Sequence, residues 1–210
     1  MKVRPAHVAG HFYPGDRETL VEFLRNLLGG PRETLEAKGV FVPHAGYIYS
    51  GRIAGRTFSR VALPSTAIIL GPNHTGYGKP LALMPEGIWQ TPLGKIAIEG
   101  ALAEKLLTGP PLEKDDEAHL YEHSVEVEIP FLQYLKPDIQ FVPVILGTQH
   151  TPLLAETGRA LARILAAWPE PVLIVASGDL NHYENEPITR AKDEAAIQAM
   201  LELDENKLAR

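Results

Sequence analysis

The chain has 210 residues, of which 45% are hydrophobic and 22% are charged, and this balance predicts one large folded domain or a tight pair of lobes and excludes a disordered chain. The formal net charge is −6 and no stripe of basic residues is present, which excludes a protein built to bind nucleic acid. Cysteine is absent, so disulfides, thiolate nucleophiles and cysteine-bound zinc are excluded within this chain, and a metal would need nitrogen and oxygen ligands.

The first predicted element is a helix that begins after Asp16. Aspartate is a common N-cap residue, and apolar residues then recur at helical spacing as far as Leu28. A pair of glycines follows and ends the helix. Two short apolar runs, at residues 40–42 and 67–70, come next and are typical of buried strands.

The middle of the chain differs in composition from the segments before it. Residues 77–100 combine glycine, proline and tryptophan with short apolar pieces, which indicates a small antiparallel excursion. A helix is predicted over about residues 122–134, with Pro130 ending or kinking it early. The apolar run at residues 141–146 then predicts another buried strand.

The last third of the chain repeats this alternation. Thr151 and Pro152 form a typical cap and first turn of a helix. Residues 172–176 predict a further buried strand, and a final helix begins near Pro187. Strands that alternate with helices indicate an α/β fold. We therefore predict a single α/β domain over residues 1–210, a three-layer α/β/α sandwich around a largely parallel or mixed central sheet.

The expected location follows from two negative features of the sequence. A segment that spans a membrane needs a run of about 18 apolar residues, and the sequence has no such run. The first residues also lack the apolar stretch of a secretory signal. We therefore expect a cytoplasmic protein that has neither a membrane nor a nucleic acid as its partner.

A histidine follows each of the four apolar runs, in a turn that contains glycine: His44, His74, His150 and His182. In open α/β sheets, ligands bind beyond the carboxyl ends of the strands. Imidazole is the commonest transition-metal ligand and the usual acid or base near neutral pH. The pattern therefore predicts that histidines from remote parts of the chain meet in one reactive pocket, most simply a metal-binding pocket.

Not every histidine is assigned to this pocket. A single histidine after a strand is more often a structural residue that caps a loop. This interpretation is preferred for His150, which precedes a helix cap and has no acidic neighbour. His7 and His119 are likewise interpreted as ordinary surface or loop residues.

His44, His74 and His182, with Asp179 nearby, indicate a functional site. Two neutral imidazoles and one carboxylate, with open coordination positions, form the arrangement of non-haem Fe(II) oxygenases. His44 and His74 would be the two nitrogen ligands, and Asp179 is a candidate third ligand. His182 is a candidate general base for a bound substrate. The same residues also suit catalytic zinc, or acid–base work without a metal.

His123 is a further candidate, within the sequence Glu122-His123-Ser124-Val125-Glu126. If this stretch is helical, His123 and Glu126 lie three residues apart on one face and point into the same space. The alternative is a solvated first turn in which Glu122 and Glu126 complement the helix dipole. The spacing leaves both interpretations open.

Several motifs, in order over nearly the whole chain, resemble those of the Memo family, which is found in bacteria, archaea and eukaryotes. The matching pieces are Ala9-Gly10-His11-Phe12-Tyr13-Pro14, Pro43-His44-Ala45-Gly46-Tyr47, Gly71-Pro72-Asn73-His74, Thr91-Pro92-Leu93-Gly94, Glu122-His123-Ser124 with Glu126 and Pro130-Phe131-Leu132, and Ser177-Gly178-Asp179-Leu180-Asn181-His182.

The resemblance implies a fold like that of class III extradiol ring-cleaving dioxygenases, which use non-haem Fe(II). His44 and His74 fall where the family has metal-ligand histidines. His182 falls where the dioxygenases keep an acid–base histidine, and His123 falls where they have another pocket histidine. These roles are expectations that come from the resemblance.

The chain departs from the family pattern in two respects. The family's further metal ligand is a cysteine near the C-terminus, where the dioxygenases use a glutamate. This chain has no cysteine and ends at Arg210, so we expect it to lack a C-terminal segment of the full family domain and to carry an incomplete site. His11 also stands where a smaller residue is expected.

Three hypotheses about function result. The first is a metal-dependent redox protein with dioxygenase-like activity, with iron as the expected metal and copper or zinc as alternatives. The second is a non-catalytic adaptor that binds a small molecule or a peptide group in the same pocket, motivated by nearby aromatic residues: Tyr13, Tyr47, Tyr49 and Trp89. The third is a zinc-dependent hydrolase.

Overall fold

The computed structural model describes residues 2–30, 33–109 and 111–208. Its strands are β1 (Val3–Arg4), β2 (Gly39–Val42), β3 (Thr66–Pro72), β4 (Leu81–Leu83), β5 (Ile88–Thr91), β6 (Gly94–Ala97), β7 (Glu113–Lys114), β8 (Gln140–Leu146) and β9 (Val172–Ser177). Its helices are α1 (Arg17–Leu28), α2 (Gly51–Phe58), α3 (Gly100–Leu107), α4 (Glu117–Leu120), α5 (Ile129–Leu135), α6 (Thr151–Ala166), α7 (Glu186–Leu201) and α8 (Glu205–Leu208). Within these described ranges, no helix is long and apolar enough to cross a bilayer.

Within the described residues, six strands form the central sheet in the order β2-β9-β3-β8-β4-β7. The first four strands of this order run parallel to one another, and β4 pairs antiparallel with β8. A smaller sheet contains β1, β5 and β6, and its β5–β6 hairpin is antiparallel. The predicted mixed, largely parallel sheet and the antiparallel excursion in residues 77–100 are both confirmed.

The centre of the large sheet is buried on both faces. Ala67, Ile68 and Ile69 of β3 are consecutive and fully buried, and consecutive residues of a strand point to opposite faces of the sheet. Each face must therefore be covered by another layer. Helices α1, α2 and α5 contact one another, while α3 contacts α6 and β8. The architecture agrees with the predicted three-layer α/β/α sandwich.

Local chemistry fixes the ends of the helices. The Asp16 side chain accepts a hydrogen bond of 2.9 Å from the Thr19 backbone N–H, so the predicted cap of α1 is confirmed. Gly29 ends that helix with a φ of 72°, a backbone conformation that favours glycine. Helix α6 begins at Thr151, but His150 is its N-cap residue.

Two predictions about individual elements are wrong. Pro130 stands in the first turn of α5, where the missing N–H costs no hydrogen bond, so this proline begins the helix. Residues 122–125 are consequently not helical; a single 3₁₀ turn, Glu126–Glu128, precedes α5. Strand β2 is an edge strand, and Phe41 on it is 38% exposed, so this strand is not buried on both faces.

Candidate metal centre

The predicted histidine cluster forms where parallel strands end. His44 comes two residues after β2, and His74 comes two residues after β3. Strand β9 lies between these two strands in the sheet, and its carboxyl end brings Ser177 and Asp179 to the same edge. Side chains separated by more than 100 residues therefore meet because the strands that carry them are neighbours.

Three imidazole rings lie in contact at this edge. The ring centroids of His44 and His74 are 5.2 Å apart, those of His44 and His123 are 5.5 Å apart, and those of His74 and His123 are 4.4 Å apart. One ring nitrogen from each residue lies within 4.8 Å of one from each of the others. His44 is buried, whereas the His74 side chain is 44% exposed. The cluster is thus buried at His44 and open to solvent at His74.

Glu122 fixes the position of His74. Its carboxylate is fully buried and accepts hydrogen bonds from the His74 backbone N–H at 2.6 Å and from the His74 Nδ1 at 2.8 Å. It also accepts hydrogen bonds from the backbone N–H groups of His123 and Ser124. An Nδ1–H that donates to Glu122 leaves Nε2 of His74 free for a ligand.

These hydrogen bonds also set the charge of the pair. Burial alone raises the pKa of Glu122, but the hydrogen bonds from His74 and Ser124 outweigh it and lower the pKa to about 2. The hydrogen bond to Glu122 raises the pKa of His74. Glu122 is therefore a carboxylate at neutral pH, and it increases the basicity of the imidazole that it holds.

His44 is held by a different partner. Its Nδ1 lies 3.0 Å from the Ser177 hydroxyl oxygen, and its backbone N–H donates to Oδ1 of Asp179 at 2.9 Å. Burial lowers the pKa of His44 to about 4, and burial likewise lowers the pKa of His123. Both imidazoles are thus neutral at physiological pH, which is the form that binds a metal.

The other two predicted site residues lie at the edge of this cluster. Asp179 Oδ2 is 3.9 Å from His44 Nε2 and 3.6 Å from His182 Nε2. The His182 side chain is 57% exposed. Asp179 therefore lies between the buried His44 and the solvent-exposed His182, beyond hydrogen-bond distance of both rings, and the structure brings all five predicted site residues to one end of the sheet.

The predicted pairing of His123 with Glu126 is wrong. His123 lies in a loop before the 3₁₀ turn, and the Glu126 carboxylate instead bonds to the Arg4 guanidinium at 2.6 Å and to the Tyr13 hydroxyl at 2.7 Å. The alternative of a solvated turn is also wrong, because Glu122 and Glu126 are fully buried. The acidic neighbour of His123 is Glu122, whose Oε1 lies 3.3 Å from His123 Nδ1.

The three histidines interpreted as structural are divided between surface and core. His150 and His7 are exposed, as predicted. His119 is fully buried, so its interpretation as a surface or loop residue is wrong. Its Nε2 lies 3.3 Å from the Pro143 carbonyl oxygen, and its own carbonyl accepts a hydrogen bond from Arg4. This residue belongs to the core.

Sequence reasoning missed two residues of the site, Glu122 and Ser177. The sequence predicts for Glu122 only a role beside the helix dipole, although its position directly before His123 is a usable signal. For Ser177 the sequence predicts no role beyond its place in a motif. The structure gives each of them the same task, because each one hydrogen-bonds the Nδ1 of a pocket histidine, Glu122 that of His74 and Ser177 that of His44.

The aromatic residues near the pocket differ from those expected. The Phe12 ring lies 4.6 Å from the His123 ring, and Tyr77 and Tyr121 form an exposed pair with ring centroids 6.2 Å apart. Of the residues named from sequence, Trp89 is buried against Arg4 and Phe141 instead. Tyr13 and Tyr47 are also buried, and Tyr49 is 81% exposed.

Comparison with known proteins gives consistent results. The profile of the family described as Memo-like protein matches residues 4–210. A MEMO1 family protein of Aquifex aeolicus is 42% identical over 210 residues, which cover 99% of this chain and 78% of that protein. A MEMO1 family protein of Thermotoga petrophila is 44% identical over 220 residues, which cover 97% of this chain and 79% of that protein. The chain therefore belongs to the Memo-like family.

Proposed function

We propose that the protein is a metal-dependent redox protein in which His44 and His74 bind one metal ion at the carboxyl edge of the sheet. The observation that carries the proposal is the convergence of ring nitrogens from His44, His74 and His123 within 4.8 Å of one another. His123 is the candidate third nitrogen ligand. Iron is the metal that we expect, and copper and zinc are the alternatives.

The chemistry of the donors supports this assignment. Glu122 and Ser177 engage the Nδ1 atoms of His74 and His44, so the Nε2 atoms are the free donors. Metal-binding histidines almost always use their second nitrogen for such a hydrogen bond to a carboxylate or another polar group. Neutral imidazoles suit iron, copper and zinc, whereas magnesium and calcium prefer oxygen ligands.

The residues around the metal site have distinct roles in the proposed reaction. A bound iron ion would supply redox chemistry at the pocket, as it does in the class III extradiol dioxygenases, whose fold is expected here from the resemblance to the Memo family. His182 accepts a proton from a substrate hydroxyl at Nε2, and Asp179, whose Oδ2 lies 3.6 Å from that nitrogen, stabilises the resulting imidazolium. Phe12, packed on His123, limits the access of water.

Metal analysis of the protein purified without a chelator tests the proposal. We expect close to one bound metal ion per chain, and we expect it to be lost in His44→Ala and in His74→Ala. The matched control is His150→Ala, because His150 also follows a strand but is exposed and lies outside the cluster. Metal content that is equal in all four proteins contradicts the proposal.

A second candidate function is a binding module that uses the same pocket without turnover. The exposed Tyr77–Tyr121 pair and the Phe12 ring beside His123 favour it, because aromatic side chains supply large contact areas for ligands. Oxygen consumption with a catechol supports the enzyme. Ligand binding that persists after removal of the metal, without oxygen consumption, supports the module.

A zinc hydrolase is the third candidate, favoured by the three-imidazole donor set, which is also found in catalytic zinc sites. Anaerobic reconstitution with equal concentrations of iron and zinc distinguishes it from the redox protein. A clear preference for zinc, together with hydrolysis of an activated ester, supports the hydrolase.

A further inference from the structure

A second buried glutamate lies behind the metal pocket, on the side of His44. Glu128 is fully buried, and its Oε1 lies 3.0 Å from the Ser177 hydroxyl oxygen. The same oxygen lies 2.7 Å from the Ser124 carbonyl oxygen and 3.0 Å from His44 Nδ1. One serine hydroxyl thus has three polar neighbours, and the positions of the protons among them are constrained.

Counting donors shows where the protons must be. A serine hydroxyl has one hydrogen to donate and two lone pairs that accept. The Ser124 carbonyl can only accept, and it is the closest neighbour, so the Ser177 hydrogen points to it. The other two contacts are then hydrogen bonds only if His44 Nδ1 and Glu128 Oε1 both carry a proton. An ionised Glu128 would leave two oxygen atoms facing each other without a hydrogen.

We propose that Glu128 is a neutral carboxylic acid that, through Ser177, holds His44 in the Nδ1–H tautomer and leaves its Nε2 free for a metal. Glu128 and Ser177 are positioning residues, because neither needs to touch the metal or the substrate. The tautomer itself does not depend on a bound metal, whereas its use as a metal ligand rests on the proposed function.

The surroundings of Glu128 agree with a neutral acid. Within the described part of the chain, its Oε2 is buried and has no hydrogen-bond partner, which is far less costly for an acid carbonyl than for a carboxylate. Glu122 differs sharply, because four N–H groups, two of them on His74, surround its two oxygens. Two equally buried glutamates thus differ in charge, because N–H groups surround the oxygens of Glu122 and, among the described residues, none surrounds Oε2 of Glu128.

The charged and titratable groups that act on Glu128 point the same way. Burial raises the pKa of Glu128, the charge of the nearby Asp179 raises it further, and these two effects outweigh the contact with Ser177, which acts in the opposite direction. Tyr47 is neutral, because burial raises its pKa as well. His44 is neutral because its own pKa is lowered by burial, so none of these groups supplies a positive charge that would stabilise a carboxylate.

The two candidate metal-ligand histidines differ in the charge of the group that their Nδ1–H contacts. His74 donates its Nδ1–H to a carboxylate, whereas His44 donates its Nδ1–H to a neutral hydroxyl. A carboxylate partner makes an imidazole a more basic ligand than a neutral partner does. His74 is therefore the stronger donor of the pair, and His44 is the ligand whose geometry depends on Ser177.

The first test measures stability against pH in the metal-free protein, with Glu128→Gln as the variant. A glutamine amide donates to Ser177 as a neutral acid does, so the fold is retained. Burial raises the pKa of Glu128 well above 4.5, the ordinary value for glutamate, so unfolding releases its proton at any pH between the ordinary and the raised value. In that interval the unfolding constant of the wild type relative to the variant should rise with pH, by up to about tenfold per pH unit. A ratio that is independent of pH overturns the proposal.

The second test reads the tautomer directly by nitrogen NMR of the His44 ring, again without metal. We expect the Nδ1–H form in the wild type and in Glu128→Gln, and a mixture with the Nε2–H form in Ser177→Ala. An Nε2–H ring in the wild type overturns the proposal even if Glu128→Gln fails to fold. Because no metal is present, failure here is separate from failure of the wild type to bind a metal, which would contradict the proposed function instead.

Discussion

At the scale of single residues, the site depends on what lies behind the histidines. The rings of His44 and His74 reach the pocket because their backbones end neighbouring strands, but their usable nitrogen is selected by Ser177 and Glu122. Such partners fix ring orientation and ligand basicity, and their loss typically weakens metal binding 10–100-fold. The residues that hold the candidate metal ligands in place are thus as informative as the candidate ligands themselves.

Glu122→Gln tests this view. The amide offers one oxygen in place of two and removes the charge that holds His74, so we expect metal affinity to fall by about 10–100-fold while both ring ligands remain present. Titration of the metal-free protein with iron under anaerobic conditions measures it.

The matched control is Glu126→Gln. Glu126 is equally buried, but its carboxylate bonds to Arg4 and Tyr13, so this change should lower stability and leave the metal affinity of the folded protein nearly unchanged. Equal affinity losses in the two variants would mean that general destabilisation, and not the His74 hydrogen bond, accounts for the effect.

At the scale of elements, the end of β3 couples the sheet to the site. A Cβ added at Gly71 would overlap Ser124, whose Oγ and Cβ lie closer than any ordinary contact allows. Ser124 in turn donates its hydroxyl to the Pro72 carbonyl and its backbone N–H to Glu122. Glycine at this position lets the loop that carries Glu122 and His123 approach the strand that leads to His74.

Gly71→Ala should therefore disturb both stability and metal binding. We expect a loss of about 1–3 kcal/mol, the usual cost of overpacking, together with weaker metal affinity because Ser124 and Glu122 must shift. Chemical denaturation and metal titration of the same variant measure the two effects.

Gly158→Ala is the control for Gly71→Ala. Gly158 lies on the exposed face of α6, where an added Cβ meets nothing within 4 Å, so we expect a gain of up to about 1 kcal/mol from helix propensity. A metal affinity that is normal in Gly71→Ala would show that the loop adapts without moving the site.

The same elements show why sequence patterns succeeded in some places and failed in others. The cap of α1 and the strand ends were predictable because a capping side chain or an apolar run acts locally. The prediction that Pro130 ends a helix is wrong because a proline suits the first turn of a helix as well as the position after its end. The role of Glu122 depends on His74, and the role of Glu126 depends on Arg4. Both partners are remote in sequence, so no local spacing reveals these roles.

At the scale of the whole molecule, the fold keeps several ionisable groups out of water, and this links its stability to pH. His119 is fully buried beside Trp89, and burial lowers its pKa to about 4. In the unfolded chain, this histidine takes up a proton as the pH falls below its ordinary pKa of 6.5. In the folded protein it takes up that proton only when the pH falls to about 4. The contribution of His119 to stability is therefore present above pH 6.5 and is lost as the pH falls towards 4.

His119→Gln should reduce this acid sensitivity. The interval between the two pKa values corresponds to about 3 kcal/mol in the wild type, and the variant should lose that part of the decline between about pH 6.5 and pH 4. Denaturant unfolding of the metal-free protein at several pH values measures it. His150→Gln, which alters an exposed histidine, should follow the wild type; a His119→Gln curve parallel to the wild type contradicts the account.

Anomalous X-ray diffraction from crystals of the iron-loaded protein would locate the metal directly. The account predicts one strong anomalous peak at the carboxyl edge of the sheet, within about 2.0–2.2 Å of a ring nitrogen of His44 and of His74. A peak only at exposed histidines such as His7 or His150, with the rings of His44 and His74 unliganded, would contradict it.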